Sequence, residues 1–253
     1  MDQSKIAQLQ KMVDESERIV FFGGAGVSTE SGIPDFRSVD GLYNQKYDYP
    51  PEQILSHTFF MRNRPEFYRF YYDKILVDGV EPNAAHKALA RLEEIGKLTA
   101  IVTQNIDGLH QKAGSKNVLE VHGTTLNNIC MSCGKTFDID YMMEQKAKKI
   151  FEPACDACGG VIKPDVVLYE EGLDQGILSE AVRQISRADM LIVGGTSLVV
   201  YPAAGLVDYY TGHRLVLINK SSTAKDAKAD LVISDSIGEV LSQLTYNGKK
   251  LLD

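Results

Sequence analysis

Four cysteines, arranged as two Cys-x-x-Cys pairs, constrain this 253-residue chain more than any other feature. Cys130 pairs with Cys133 and Cys155 with Cys158, and a glycine follows each pair. Such turns bring two thiolates onto one ion, and four thiolates in a tetrahedron are typical of zinc. Because the protein supplies all four ligands, no position is left for a substrate. The spacing therefore predicts one structural Zn²⁺ per chain, in preference to a catalytic zinc, a disulfide or a redox-active pair.

Composition is that of a globular protein with an ordinary core, at 44% hydrophobic and 24% charged residues. The net charge of −7 argues against general attraction to nucleic acid or to anionic membranes. It mildly favours cationic partners, although solubility alone also explains it. The first 18 residues lack the apolar region of a secretory signal, and no apolar run could span a bilayer. We expect a cytoplasmic protein with reduced thiols.

Short apolar runs alternate with segments of helical periodicity along most of the chain. Strands are expected at 18–22, 99–103, 119–122, 166–169, 190–194, 215–219 and 230–234. Helices are expected in the first segment, from near Ser28 to the residues before Pro34, and at 66–76, 84–95, 178–186, 202–210 and 237–244. Residues 35–51 are expected to form a long loop. This alternation predicts an α/β fold, a Rossmann-like doubly wound parallel sheet with a smaller inserted zinc-binding module.

The domain organisation follows from the same pattern. We expect a single catalytic unit over residues 1–253. Its large Rossmann-like domain covers about 1–34, 78–128 and 162–253, with a small domain from an insert at about 35–77 and the zinc module at about 129–161.

Ligands of doubly wound sheets bind at the carboxyl ends of the strands, where this chain carries glycine turns and polar side chains. Gly24, Ala25 and Gly26 follow the first strand and would let backbone N–H groups approach a diphosphate. The dinucleotide fingerprint is incomplete, because Thr29 stands at the third glycine position, so a simple tight turn is an alternative reading. Among five histidines, only His122 lies at a predicted strand end beside glycine, where it could act as a general base.

A family resemblance rests on four motifs in order. Residues 24–37 read GAGVSTESGIPDFR, which closely resembles the signature of sirtuins, NAD-dependent protein deacylases. Residues 104–107 (QNID), 122–123 (HG) and 195–203 (GTSLVVYPA) are similar to the other sirtuin motifs, and the cysteine pairs fall where the family carries zinc. The resemblance covers nearly the whole chain from about residue 18.

The resemblance implies roles for individual residues. His122 would be the general base, with Asn105 and Asp107 assisting catalysis. The residues expected to bind NAD are Gly24, Ala25, Gly26, Thr29, Phe36, Arg37, Gln104, Ile106, Asp107, His122, Thr196, Ser197, Asn219 and Ile237. Read without the family, Phe36 would be a core residue, Arg37 a surface residue and Asp107 a helix cap.

The implied reaction uses NAD as a co-substrate. The acyl oxygen of a modified lysine attacks the ribose carbon of NAD and expels nicotinamide, and His122 then activates a ribose hydroxyl. The products are free lysine and an O-acyl-ADP-ribose, and zinc takes no part. Two alternatives remain. A mono-ADP-ribosyltransferase would form different products, and a non-enzymatic NAD sensor would bind NAD without releasing nicotinamide.

The expected partners are acetyl-lysine proteins or peptides, with no direct binding of nucleic acid or membrane. The peptide would lie as a strand between Val167, Leu168 and Tyr169 on one side and Val199 and Val200 on the other. Where many members have Gly-Glu after an aromatic pair, this chain has Glu170-Glu171, so Glu170 could attract basic residues or simply face solvent. Tyr71 occupies the position at which succinyl-specific members carry arginine, which favours uncharged acyl groups.

Overall fold

The computed structural model describes residues 2–36, 41–44 and 47–252. Its central sheet has six parallel strands in the order β3-β2-β1-β7-β8-β9. These strands are β1 (Ile19–Gly23), β2 (Leu98–Thr103), β3 (Val118–Glu120), β7 (Met190–Gly194), β8 (Leu215–Ile218) and β9 (Leu231–Ile233). The chain winds outward in opposite directions from β1, so the topological switch point lies between β1 and β7. The predicted doubly wound α/β fold is confirmed.

Nine α-helices are found in the described ranges. They are α1 (Gln3–Asp14), α2 (Pro51–Ile54), α3 (His57–Arg62), α4 (Arg64–Phe70), α5 (Ala84–Glu94), α6 (Leu109–Lys112), α7 (Ile139–Ala147), α8 (Gln175–Arg187) and α9 (Ile237–Leu241). Outside the central sheet, β4 (Gly123–Cys130), β5 (Thr136–Asp138) and β6 (Ile162–Val166) form an antiparallel sheet, and β10 (Thr245–Tyr246) pairs with β11 (Lys249–Lys250).

Both faces of the parallel sheet are covered, which explains why its strands read as continuous apolar runs. Successive side chains of β1 point to opposite faces: Phe21 packs in a core with residues of α1, α5 and α9. Its neighbour Phe22 packs in a second core with residues of α8 and of the 3₁₀ helix Ala203–Tyr209. Both phenylalanines are fully buried.

A third core joins the small helices to the zinc module. It contains the aromatic side chains of α3 and α4, among them Phe60, Phe67 and Tyr68, together with Cys130 and Cys155. The hydroxyl of Tyr68 donates a hydrogen bond to the Ile162 carbonyl in β6. The helical insert and the zinc module therefore share one core, to which the parallel strands contribute no described residue. The domain boundaries given above stay predictions.

Four predicted elements differ in the structure. The helix expected near Ser28 is a pair of 3₁₀ turns, Ala25–Val27 and Thr29–Ser31, which ends at Gly32 with φ of 89°. Glycine, serine and threonine have low helix propensity. A segment as short as this one therefore does not nucleate an α-helix. The segment expected as a helix at 202–210 is likewise a 3₁₀ helix.

The third difference concerns the strand predicted at 166–169, which is wrong beyond its first residue. β6 ends at Val166, and Tyr169 forms only an isolated parallel bridge with Ser56. The left-handed backbone of Glu170, with φ of 75°, turns the chain away from an extended path.

The long loop expected at 35–51 contains a 3₁₀ turn, Leu42–Asn44, and ends where α2 begins. The helices α2 and α3 were not predicted, because they are short and carry an aromatic, weakly periodic sequence. The predicted helix at 66–76 is α4 followed by a π-helix, Tyr71–Ile75. Within residues 2–36, 41–44 and 47–252, no helix combines the length and apolar character needed to cross a membrane.

Candidate active site

The candidate site lies at the carboxyl ends of β1, β2 and β7, next to the switch point. Backbone hydrogen bonds hold the three strand ends together: Gln104 N–H donates to the Gly23 carbonyl over 3.0 Å, and Gly26 N–H to the Gly195 carbonyl over 2.8 Å. The first and fourth motifs, far apart in sequence, therefore meet at one edge of the sheet. This is the edge at which parallel sheets bind their ligands.

Two glycine turns pack directly against each other at this edge. A Cβ atom on Gly24 would lie 2.8 Å from Cβ of Thr196, and one on Gly26 would lie 2.8 Å from the Gly195 carbonyl oxygen. Neither position can take a side chain without movement of backbone or of Thr196. The turns thus expose backbone near the sheet edge, which suits the close approach of a diphosphate.

Ser28, Asn105 and Asp107 form a hydrogen-bonded chain beside the glycine turn. The Asn105 amide donates to Ser28 Oγ over 3.0 Å, and Ser28 Oγ donates to Asp107 Oδ2 over 2.6 Å. The other oxygen of Asp107 accepts from Leu109 N–H at 2.9 Å, so the carboxylate also caps α6. Both readings of Asp107, capping residue and site residue, are compatible with this arrangement.

Ser28 is a residue of the candidate site for which the sequence alone predicts no role. The residue is 1% exposed, and its hydroxyl joins two motifs that are separated by more than 70 residues. The signal in the sequence is the position of Ser28 inside the most specific motif, among small and apolar residues. A hydroxyl that is buried in such a turn must find a hydrogen-bond partner.

His122 lies just after β3 and is mostly buried. Its Nδ1 is 3.1 Å from the Gln104 carbonyl oxygen, which can only accept, so Nδ1 carries the proton. Nε2 is then the proton-accepting nitrogen of the neutral ring. Burial lowers the pKa of His122, and the bond to the Gln104 carbonyl opposes part of that shift. The ring is therefore held in the neutral, basic form that a general base requires.

The fourth motif contacts the end of β8 through Asn219. Thr196 N–H donates to Asn219 Oδ1 over 2.8 Å, and Gln104 Nε2 donates to Thr196 Oγ1 over 3.0 Å. The Asn219 Nδ2 group is buried and has no hydrogen-bond partner within the described part of the chain. A buried amide donor without a partner is costly, so this atom indicates a polar ligand at the site.

Ile237 and Ser197 flank the same region. Ile237 is buried at the start of α9, and its Cδ1 fills the space beside Gly194. Ser197 is exposed, in the turn after β7. Glu30 Oε1 accepts from Gly238 N–H at 2.8 Å, which ties the first motif to α9.

The other predicted NAD contacts are distributed around the glycine turn. Thr29 Oγ1 donates to the Gly26 carbonyl over 3.0 Å, and the Ile106 carbonyl accepts from both N–H and Oγ1 of Thr125. The Phe36 ring packs edge-on against Tyr43 at 5.6 Å between centroids. Arg37 lies outside the described residues. The structure thus brings the first, second and fourth motifs together, with His122 beside Gln104.

The segment predicted to bind peptide connects His122 to the small helices. Val167 N–H donates to the His122 carbonyl, and Tyr169 exchanges backbone hydrogen bonds with Leu55 and His57, all three at 2.9 Å. The Tyr169 hydroxyl is also hydrogen-bonded to that of Tyr43. Backbone groups of Tyr169 are therefore already paired on the side that faces α3.

The unusual Glu170-Glu171 pair fixes this segment. Glu170 accepts from Thr58 N–H at 2.9 Å, and hydrogen bonds from the side chain and the N–H of Thr58 lower the pKa of its carboxyl. Glu171 accepts from Leu168 N–H at 2.9 Å and from Lys163 Nζ at 3.0 Å, and it lies 2.8 Å from Nδ1 of His57. On the opposite side of the expected cleft, Val199 is 55% exposed.

The four cysteines converge as the sequence predicts. All four Sγ atoms lie within 4.8 Å of one another, with Cys130–Cys158 at 3.5 Å and Cys133–Cys155 at 3.7 Å. A tetrahedral zinc with Zn–S bonds of about 2.3 Å places its sulfurs about 3.8 Å apart, so the cluster fits that ion.

The two halves of the cluster are built by the same turn. Gly134 N–H donates to the Cys130 carbonyl, and Gly159 N–H donates to the Cys155 carbonyl. Both glycines have positive φ, 74° and 71°. The glycine after each pair therefore permits a left-handed turn that a residue with a Cβ would strain.

A doubly wound sheet with two packed glycine turns at its carboxyl edge and a four-cysteine module is typical of a nucleotide-binding enzyme with a structural metal. Residues 24–202 match the model of the Sir2 family. The NAD-dependent protein deacetylase of Clostridium acetobutylicum is 62% identical over 94% of this chain and 96% of its own length. That of Clostridium perfringens is 59% identical, over 95% and 98%. The chain belongs to the Sir2 family, whose members are the sirtuins.

Solved structures agree with this assignment. One Sir2 enzyme superposes with a TM-score of 0.87 at 41% identity, over 96% of each chain. A Sir2 protein bound to acetylated peptide gives a TM-score of 0.83 at 37% identity, over 94% of this chain and 96% of that one. A third, with deacetylated peptide and 3′-O-acetyl ADP-ribose, gives 0.85 at 39% identity, over 93% and 95%.

Proposed function

We propose that this protein is an NAD-dependent protein-lysine deacetylase. It converts acetyl-lysine, NAD and water into lysine, nicotinamide and O-acetyl-ADP-ribose. The observation that carries the proposal is the hydrogen bond from His122 Nδ1 to the Gln104 carbonyl, because it fixes a neutral histidine base beside the crevice. The names of the bacterial relatives, which are 57–62% identical for the first three, point to the same activity.

The residues at the sheet edge fit NAD. The packed glycine turns leave room only for backbone, as a diphosphate requires, and the unpartnered Nδ2 of Asn219 offers a donor to the adenosine half. NAD, when bound, supplies an electrophilic ribose carbon and takes up the acyl group. Thr196, Ser197 and Ile237 would surround the adenosine, and Phe36 with Arg37 would cover the diphosphate and ribose.

The residues of the chain hold the nicotinamide, orient the ribose and remove a proton. Asp107 and the Ile106 backbone hold the nicotinamide amide, and Asn105 with Gln104 orients the ribose. The hydrogen-bonded chain through Ser28 keeps Asp107 and Asn105 in fixed rotamers. His122 removes the proton from a ribose hydroxyl through Nε2, since Nδ1 is occupied by the Gln104 carbonyl.

Zinc has a structural part only. The thiolates of Cys130, Cys133, Cys155 and Cys158 would hold the ion and supply all four ligands, so it would have no open position at which to polarise a substrate. Held this way, the turns at Cys130 and Cys155 would fix β4 and β6, and β4 begins directly after His122.

The substrate is a protein or peptide with acetyl-lysine. It would lie between residues 167–169 and 199–200. The exposure of Val199 and the backbone hydrogen bonds that hold Tyr169 in place support this position. We expect uncharged acyl groups, because Tyr71 replaces the arginine that would pair with an acidic acyl group. Tyr71 is buried, and its phenol stays neutral because burial raises its pKa. We place the protein in the cytoplasm without direct partners among nucleic acids.

The decisive experiment is mass spectrometry of an acetyl-lysine peptide incubated with the protein and NAD. We expect deacetylation, nicotinamide and O-acetyl-ADP-ribose in equal amounts. An ADP-ribosylated peptide would indicate a transferase instead, and NAD binding without nicotinamide release would indicate a sensor. Faster turnover of a succinyl than of an acetyl peptide would contradict the acyl preference alone.

A further inference from the structure

Asn83 has two separate tasks in the structure. As the N-cap of α5, its Oδ1 accepts from Ala85 N–H at 2.9 Å and its own N–H donates to His86 Nδ1 at 3.3 Å. Its Nδ2 points the other way and donates to the Val27 carbonyl at 2.8 Å and to Ser31 Oγ at 3.0 Å. Capping of α5 needs only Oδ1 of Asn83. The two hydrogen bonds from Nδ2 therefore have a role other than capping.

The two acceptors lie on either side of Ser28, in the paired 3₁₀ turns of the first motif. These turns are short and contain glycine, so they have little intrinsic stability. Ser28 in turn holds Asp107 and Asn105. The Asn83 amide therefore connects the end of a core helix to the hydrogen-bonded chain at the candidate nicotinamide site.

We propose that Asn83 is a positioning residue for NAD: its Nδ2 group fixes the cofactor-binding turn so that Ser28 reaches Asp107. This inference rests on the proposed function and names a residue that does not touch the reacting atoms. The turn adopts its bound shape before NAD arrives, and the cost of ordering it is met in folding.

The helix that carries Asn83 is rigid enough for this task. His86, on its first turn, is fully buried, and its ring lies 4.8 Å from that of His110 in α6. The following turns of α5 place Leu89 and Leu92 in the core beneath the parallel sheet. The position of the Asn83 amide is thus set by the core and not by the turn that it holds.

The segment expected to bind the peptide is held by hydrogen bonds that do not involve Asn83. Val167 is bonded to His122, and Tyr169 to Leu55 and His57. Loss of the Asn83 amide should therefore weaken NAD binding and leave peptide binding nearly unchanged, a difference that a general loss of stability would not produce.

Asn83→Ser and Asn83→Asp test this directly, because both side chains still cap a helix but lack the Nδ2 donor. Steady-state KM values for NAD and for an acetyl-lysine peptide should be measured, with the Kd of NAD by calorimetry and the Tm. We expect KM and Kd for NAD to rise about tenfold, since each net hydrogen bond is worth roughly two- to tenfold in affinity. The KM for peptide should stay within about twofold. Agreement between the two variants excludes an effect of the new charge in Asn83→Asp.

The matched control is Asp174→Ala. Asp174 is the N-cap of α8, where it accepts from Ile177 N–H at 2.8 Å, and α8 packs on the opposite face of the sheet. This control should lower the Tm and leave both KM values unchanged. Unchanged NAD binding in both Asn83 variants, or an equal rise of both KM values, would overturn the proposal. If the wild-type protein bound NAD without deacetylating, the proposed function would fail, while the calorimetric comparison would still test Asn83.

Discussion

Ser28 Oγ lies 2.6 Å from Asp107 Oδ2 and accepts a second hydrogen bond from the Asn105 amide. One buried hydroxyl thereby links the glycine turn after β1 to the polar tetrad after β2. Because this one atom both donates and accepts, an alanine at position 28 would satisfy neither partner. Asp107 and Asn105 are the residues proposed to face nicotinamide and ribose, so the hydroxyl sets the shape of the reacting half of the site.

Replacement of Ser28 by alanine should lower kcat/KM for NAD by about 10- to 100-fold, since the buried Asn105 amide loses its acceptor and Asp107 keeps only its bond from Leu109 N–H. Steady-state kinetics and the inhibition constant of nicotinamide would measure the effect. Ser16→Ala is the matched control, because Ser16 is equally buried but donates to the Met12 carbonyl far from the site. Equal kinetics of the two variants would contradict the role of Ser28.

His122→Ala should reduce deacetylation by about 10²–10⁴-fold, the usual contribution of a general base. The pH profile carries further information. Burial lowers the pKa of His122, so the ring stays neutral below the ordinary histidine range. We therefore expect the acid limb of kcat/KM to fall below pH ~6.5, the ordinary value. His213→Ala, at an exposed position, should leave both rate and profile unchanged. An acid limb above that value would mean that His122 does not govern the profile.

Removal of zinc should abolish deacetylation and unfold the inserted module while the parallel sheet persists. The thiolate cluster joins β4 and β6 through two turns, whereas the cores on the two faces of the large sheet contain no cysteine. Cys133→Ser should therefore lose stoichiometric zinc, the activity and part of the β signal, but retain weak NAD binding. Metal analysis and calorimetry measure this, with Ser132→Ala as control. Full activity in a zinc-free protein would refute the structural role.

A hydrogen bond between the hydroxyls of Tyr43 and Tyr169 joins the segment after Phe36 to the segment that is expected to bind the peptide. If this bond couples the two ligands, bound peptide should raise NAD affinity less in Tyr43→Phe and in Tyr169→Phe than in the wild type. The double variant should show no further loss, because either change removes the same bond. Additive losses, measured as the Kd of NAD with and without peptide, would contradict the coupling.

The sequence was sufficient for the elements that depend on local pattern. The cysteine spacing predicted the cluster because turn geometry is local, and the apolar runs predicted the parallel strands because both faces of the sheet are buried. The 3₁₀ turns around Ser28 were not predictable, since contacts with Gly195 and Asn83 stabilise them against their own propensity. The strand predicted at 166–169 is wrong beyond Val166, because the side chains of Glu170 and Glu171 bond to Thr58 and His57 and the chain turns there.

The buried pair His86 and His110 should make the protein acid-sensitive. Burial lowers the pKa of His86 to about 4, opposed by the nearby Asp107 carboxylate. Burial, aided by the neighbouring His86, lowers the pKa of His110 to about 3. Both folded values lie below the unfolded value of about 6.5, so the unfolded chain binds more protons between these limits and stability is lost as pH falls from about 6.5.

His110→Leu removes one of the two groups without adding charge. Each such histidine costs about 1.4 kcal/mol of unfolding free energy per pH unit in this window. Only the unit from pH ~6.5 to 5.5 lies within it, so between pH 7.5 and 5.5 the wild type should lose about 1.4 kcal/mol more than the variant. Urea unfolding at both pH values measures the difference, and staying at or above pH 5.5 limits protonation of the zinc thiolates. The comparison cancels any acid effect common to both proteins. His213→Leu, at an exposed site, should match the wild-type pH dependence. An identical loss in His110→Leu would contradict the prediction, because it would show that His110 binds its proton equally well in the folded and the unfolded protein.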